Sequence, residues 1–417
     1  MRQLAVSALL AVAVASTGLA RPPQPPASQA KPPVKPPVAP PVAAPKAAAP
    51  EAQGPVTAEQ LRTAINNLSS IDYAVRSPAA RIVRRAEPAT AIPALTQAVK
   101  AHADQYVRYR ALVILSGFND PRTRDLMVSA IADKNDRLRT VAYAYFEGNP
   151  DKTVVPRLLE ALNSEESEFV RPALTRALAA HADDPKVRQT MEKLVMQGQA
   201  FFRSVVIEAL GDHRAAYALK PLLEVAKVDG PLQDDAALAL GKIGDKTALP
   251  VLAGLQRTAP RESQPGIAAA ICLLGVNCAS HQPYIVDSLR FSIANIGFQS
   301  LVRSAASGLS VLAVAGREDA ATELIALGGP TQDPVRAPIA LSIGTLALRN
   351  TPLLMKMLAQ DVLREPGVEL LREAFDMLEE DFEEERFFAT VRRTYWQSAA
   401  GSPERTVADT LIRKLEF

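Results

Sequence analysis

Four histidines, His102, His181, His213 and His281, are the side chains best suited to acid–base or metal chemistry near neutral pH, and they lie 79, 32 and 68 residues apart. None is followed by glutamate, and none belongs to a zinc-type ligand spacing. The two cysteines, Cys272 and Cys278, are six apart, with His281 the one further ligand nearby. That spacing lets the chain loop back into a disulfide; the other reading has Cys272 packing in the core. No Gly-rich phosphate loop or nucleophile elbow is present. Hence no catalytic residue, metal or cofactor is expected, and the chain reads as a non-enzyme.

Near the C-terminus six acids fall within seven residues: Glu379, Glu380, Asp381, Glu383, Glu384 and Glu385. Acids in a first turn suit the positive end of a helix, and a terminal repeat needs a polar outer face. The functional alternative is a protein-binding patch of Phe387, Phe388, Arg392, Tyr395 and Trp396, aromatic and arginine types that concentrate binding energy.

A third set of side chains recurs. Arg76, Arg108, Arg139, Arg171 and Arg203 are spaced by 32, 31, 32 and 32 residues, and the frame continues to Gln233 and Gln264. The step then lengthens to 39 at Arg303 and returns to 33 at Arg336 and at Glu369. A ladder of guanidinium groups can bind an anionic ligand. It can also knit repeats together by bonding to aspartates or carbonyls of the adjacent unit, and the second reading is preferred.

The elements that position this ladder follow from its neighbours. Counting each arginine as zero, position plus three holds Ala79, Ala111, Ala142, Leu174 and Val206, and position plus seven holds Val83, Leu115, Phe146, Leu178 and Leu210. Steps of four lie on one helical stripe. Pro78, Pro172, Pro265 and Pro338 sit where only a first helical turn tolerates proline, and Asp136 and Asp333 are candidate N-caps. A second apolar helix precedes each zero position, as in TAIPALTQAV and TALPVLAGLQ. Gly211-Asp212 and Gly244-Asp245 mark the closing turns. The unit is helix, turn, helix, turn, and a period of this size predicts a solenoid in which each unit buries its apolar face against the next.

At this point the chain resembles the HEAT repeat family, in the form called the HEAT-like repeat of phycobilisome lyases. The stretch ALALGKIGDKTALPVLAGL, Ala237 to Leu255, carries the resemblance most clearly. It implies an all-α fold: an α-solenoid of roughly ten helix-turn-helix repeats in a right-handed superhelix, over residues 57–417, with an irregular longer unit near 265–302. It also implies a protein partner held on a concave face. Enzymatic relatives of the lyase or hydroxylase type, with a site between repeats, give one alternative. The HEAT-repeat hydroxylases bind iron through His-Glu pairs that this chain lacks. A purely structural spacer is the other.

The N-terminal residues set the expected compartment. Met1-Arg2, an apolar run and Gly18-Leu19-Ala20 have the form of a secretory signal peptide cleaved after Ala20. The predicted product is exported, periplasmic in the first reading, secreted or anchored by an uncleaved signal in the others. No membrane span is expected once the signal is removed. Residues 21–56 form a Pro/Ala-rich linker with thirteen prolines from Arg21 to Pro55, a composition without a core. Five of the 47 Lys and Arg and one of the 45 Asp and Glu precede the solenoid, leaving 42 against 44. A near-neutral body argues against broad nucleic-acid binding, which needs many uncompensated cations.

Overall fold

The structure, a computed structural model, describes residues 55–378 and 381–417. The signal-peptide reading, nearly all of the linker, and Glu379 and Glu380 lie outside those residues. The described chain is all-α, with 22 α-helices in eleven successive pairs and no strand.

The pairs, in order, are α1 (Ala58–Asn66) and α2 (Tyr73–Arg85), α3 (Pro88–Ala101) and α4 (Gln105–Ser116), α5 (Thr123–Ala130) and α6 (Asp136–Gly148), and α7 (Val155–Ser164) and α8 (Arg171–Ala180). Next come α9 (Pro185–Met196) and α10 (Ala200–Asp212), α11 (Leu219–Ala226) and α12 (Gln233–Ile243), and α13 (Leu249–Thr258) and α14 (Gln264–Leu273). The array ends with α15 (Cys278–Ala294) and α16 (Gln299–Val314), α17 (Glu318–Gly328) and α18 (Arg336–Arg349), α19 (Thr351–Leu358) and α20 (Asp361–Met377), and α21 (Asp381–Gln397) and α22 (Pro403–Lys414).

Local chemistry explains the helix starts. Asp72, Asp104 and Asn135, each four residues before its ladder arginine, accept the first free N–H groups of α2, α4 and α6. Asn135, not Asp136, is therefore the cap of α6; Asp136 is already helical and pairs with Arg139. Pro156, Pro172, Pro250 and Pro265 sit in the first turns of α7, α8, α13 and α14, where no hydrogen bond is lost.

The plus-three and plus-seven positions are buried in every unit from Ala79 and Val83 to Ile339 and Ile343, so the stripe read from spacing is the inter-repeat core. Even-numbered helices pack on one another from α6 through α20 far more closely than odd-numbered helices do. The stack therefore curves with the even helices inside. Small residues permit this approach: a Cβ on Gly241 would come within 2.5 Å of the Ala270 Cα in α14, and one on Gly211 within 2.8 Å of the Ala239 Cα in α12. At the irregular unit the first helix, α15, extends to 17 residues, and the core passes there from one cluster to the next through α14.

The last pair breaks the pattern. α22 packs on α19 and α20, in the outer place a first helix would take, while α21 turns inward onto α4, α6 and α18. The curved inner face is thus not the continuous open groove that the repeat pattern predicts.

Candidate functional site: the inner face and its C-terminal helix

The ladder comes first, because it holds the inner helices in place. Arg108 Nε donates to Val99 O at 2.8 Å, and Arg203 Nε to Val195 O at 2.8 Å. Arg76 Nη1 donates to Ser70 O at 2.6 Å, and Arg364 Nε to Leu358 O at 3.0 Å. For Arg108, Arg203 and Arg364 the second helix thus reaches back to carbonyls left free where the first helix ends, and Arg76 reaches the turn that follows α1. Gln233 and Gln264 do the same through their amides, to Ala226 O and Ala259 O, both at 3.1 Å, which explains why glutamine can stand in the frame. The frame predicts Glu369 as the next member, but Arg364 makes the bond instead.

Several guanidinium groups also cross to the following unit. Arg139 holds Glu165 through two bonds of 2.8 and 2.9 Å, and Arg108 holds Asp133 at 2.7 Å. Bonding to Glu165 raises the Arg139 pKa further above its ordinary value. Arg171 lies 4.6 Å from the centre of the Phe202 ring. The five ladder arginines are thus engaged in helix ends, carboxylates and rings.

The histidines are placed by the same inter-unit bonding. His181, buried, has Nδ1 at 2.7 Å from Ala177 O and accepts the Asp151 N–H on Nε2 at 2.8 Å, which assigns the proton to Nδ1. Asp151 is itself held at about 2 by the Thr153 hydroxyl and N–H and by Arg124. His213 lies 3.6 Å from Glu147 Oε1. Burial opposes ionisation of Glu147, but His213, Arg349 and Arg176 prevail and hold its pKa down at about 2. Arg349 of α18 reaches Glu147 of α6 at 3.2 Å, so the third and ninth pairs meet directly. Among the described residues no group of three His, Cys, Asp or Glu side chains is placed to hold a metal ion. The Cys272 and Cys278 sulfurs are joined as a disulfide across the end of α14.

α21 fixes the closure. Glu385 has no solvent exposure of its side chain, and its Oε2 accepts from Arg84 Nε and Nη2 at 2.8 and 2.7 Å, 301 residues away in sequence. Its Oε1 accepts from Arg392 at 3.1 Å. Arg110 of α4 donates to Asp381. Burial pushes the Asp381 carboxyl up to about 6 while Arg84 works against it; burial also lowers the Arg110 and Arg392 pKa values. Gly117, just past α4, leaves room for this arrangement, since a Cβ there would meet Glu385 Oε1 at 2.5 Å. Apolar packing completes the joint: Phe382 enters the N-terminal core beside Tyr145, with ring centres 6.2 Å apart, and Phe387 packs with Phe375 and Phe417.

This placement corrects the reading of Phe387, Phe388, Arg392, Tyr395 and Trp396 as one exposed patch. Phe387 is 1% exposed, Phe388 stacks on Phe417 at 4.1 Å, and Arg392 is bound to Glu385. Tyr395 lies 4.5 Å from the Arg405 guanidinium. Of the five, Trp396 stands clear at 76% exposure. Asp381 and Glu385 of α21 are spent on long-range ion pairs, which no local spacing discloses.

Beside α21 the inner face stays open. A groove of about 520 Å³ runs over α4, α6, α8 and the start of α10, lined by Tyr106, Tyr109, Arg137, Phe169, Arg176 and Phe201, with Phe382 at one wall. Phe169 and Phe201 are 58% and 56% exposed, which is unusual for such rings. Sequence reasoning missed them. The signal was available, because Tyr106, Arg137, Phe169 and Phe201 all stand two residues before their ladder arginines.

A stack of paired helices with its core between units defines an α-solenoid. Residues 61–146 match the family model described as HEAT repeats, and residues 232–257 match that of the PBS lyase HEAT-like repeat. The chain carries HEAT repeats in those stretches. No curated protein sequence matches it. Among solved structures it is similar to YibA of Escherichia coli, at 20% identity over 53% of this chain and 83% of that one, with a TM-score of 0.38. It is also similar to a chain from the complex of Kap95p with RanGDP, at 12% identity over 85% of this chain and 54% of that one, with a TM-score of 0.33. No helix of the described residues is long and apolar enough to cross a membrane.

Proposed function

We propose that this protein is an exported, non-catalytic scaffold that holds a protein partner on the inner face of its solenoid. The observation that carries this reading is the row of exposed rings at Phe169 and Phe201 in the open part of that face, where isolated folding would favour polar residues. A near-neutral charge balance favours a protein over nucleic acid. Engagement of His181 in inter-unit bonds, and the absence of a catalytic motif, support a role without chemistry. The leader-like residues 1–20 and the Cys272–Cys278 disulfide both suit an oxidising compartment.

A photo-crosslinking amino acid placed at Phe201 tests the reading, with the same group at Lys220 on α11 as the outer-face control. Capture of one reproducible protein from the producing cells at 201 and not at 220 is the expected result. Equal capture at both positions, or none at either, refutes it. Export is tested separately by the N-terminal residue of the mature protein, expected to be Arg21.

A further inference from the structure

The open groove has a period as well as a composition. Tyr106, Arg137, Phe169 and Phe201 belong to four consecutive units at the same place in the frame, so each unit contributes one side chain to the row. Around them two similar stacks form. In one, Tyr106 and Tyr109 meet edge to face at 5.5 Å, with the Arg137 guanidinium 5.7 and 5.4 Å from their centres. In the other, Phe201 and Phe202 meet at 5.3 Å, with Arg171 4.6 Å from Phe202. Phe169 stands between the two, and the result is a row of ring and guanidinium faces along the groove.

A groove lined by Tyr106, Tyr109, Phe169, Phe201 and Phe382 offers the ring faces on which proline-rich segments dock in polyproline II form. That conformation has no internal hydrogen bonds and is already extended before it binds. Proline rings also pack well on aromatic faces and bring little conformational entropy to be lost. The charge of the lip supplies the second requirement. Glu166 and Glu168, in the turn before α8, are exposed, and among the described residues neither is ion-paired; Glu168 lines the groove. A basic residue between prolines meets them.

On the scaffold reading above, we infer that the groove over α4 to α10 binds a lysine-bearing, proline-rich segment of a partner protein in polyproline II form. The probe is a fluorescein-labelled peptide of repeated Pro-Pro-Lys triplets, titrated with the full chain and followed by anisotropy. Saturable binding is expected. Phe169→Ala combined with Phe201→Ala should weaken it by at least about tenfold; both rings are exposed, and an unchanged circular dichroism spectrum confirms the fold. A peptide with alanine in place of proline should bind at least about tenfold more weakly, and Glu166→Gln with Glu168→Gln should flatten the salt dependence. No saturable binding, equal affinity for the alanine peptide, or indifference to the double phenylalanine variant overturns the inference. Capture at Phe201 of a partner without a proline-rich segment removes this inference and leaves the scaffold standing, whereas failure of capture removes the scaffold itself.

Discussion

Replacing Glu385 by alanine should open the molecule at one place. The carboxylate is fully enclosed and accepts from Arg84 and Arg392, and the Arg84 side chain is only 6% exposed. Removing the acceptor strands a buried guanidinium, a loss of about 3–5 kcal/mol when one member of a buried pair is deleted. The joint has little reserve, because Arg110 Nε and Arg392 Nη1 are already buried without partners. The effect should concentrate on α21, since each solenoid unit depends mainly on its neighbours. Hydrogen exchange of the α21 amides is the assay, and about 3 kcal/mol corresponds to exchange faster by roughly a hundredfold. Converting the whole triad to apolar residues, Arg84→Met and Arg392→Met with Glu385→Leu, should restore protection to within about tenfold of the parent, because none of the three charges is then stranded. Unchanged protection in Glu385→Ala would show that apolar packing of Phe382 and Phe387 alone holds α21, and the ionic argument would fail.

Glu147 is held at about 2 against an ordinary value of 4.5. It therefore contributes stability above pH 4.5 that is lost as pH falls toward 2, on the order of 3 kcal/mol, and Glu147→Gln should flatten that acid limb in urea titrations. In the ladder, Arg203→Gln should cost under about 0.5 kcal/mol, since Gln233 and Gln264 make the same bond, while Arg203→Ala should cost about 1 kcal/mol, as read from denaturation midpoints. Gly241→Ala should destabilise by about 2 kcal/mol or more, because its Cβ meets the Ala270 backbone rather than a movable side chain. Relocating the same change to Gly254, where a Cβ meets nothing within 4 Å, should leave stability unchanged or slightly raised in the same assay.

How much of this was legible depends on the distance over which each contact acts. The Val107, Ala111 and Leu115 stripe recurs every turn and every repeat, so periodicity alone placed the core. The ladder's carbonyl partners lie 5–9 residues back along the chain, as with Val99 and Arg108 or Ser70 and Arg76, and its carboxylate partners lie one unit on, as with Arg139 and Glu165, near enough for a structural role to be preferred from the sequence. The place of α21 was hidden for the opposite reason. Its acids bond to Arg84 and Arg110, 301 and 271 residues earlier, and inside its own window the same acids read as a terminal cap. Phe387 looked like a surface residue for want of its partners Phe375 and Phe417. The exposed rings were a different failure, because Phe169 and Phe201 sit one residue ahead of the apolar stripe and were passed over in favour of the arginines that follow them.

The closure bears on binding even though it covers part of the inner face. A solenoid of stacked pairs is compliant along its length, and a ligand lying across several units must suppress that compliance as it binds. Here α21 already ties α4 and α6 to α18, and Arg349 ties α18 to Glu147, so the shape of the groove is set before any ligand arrives. A groove held in one shape has less freedom to lose on binding than a loose one. Loss of the tie through Glu385→Ala should therefore weaken groove binding without touching a groove residue, while Trp396→Ala, on an exposed side chain of the same helix, should not. If the two variants bind the labelled peptide equally well, the tie does not preset the groove, and the affinity of the groove must come from its side chains alone.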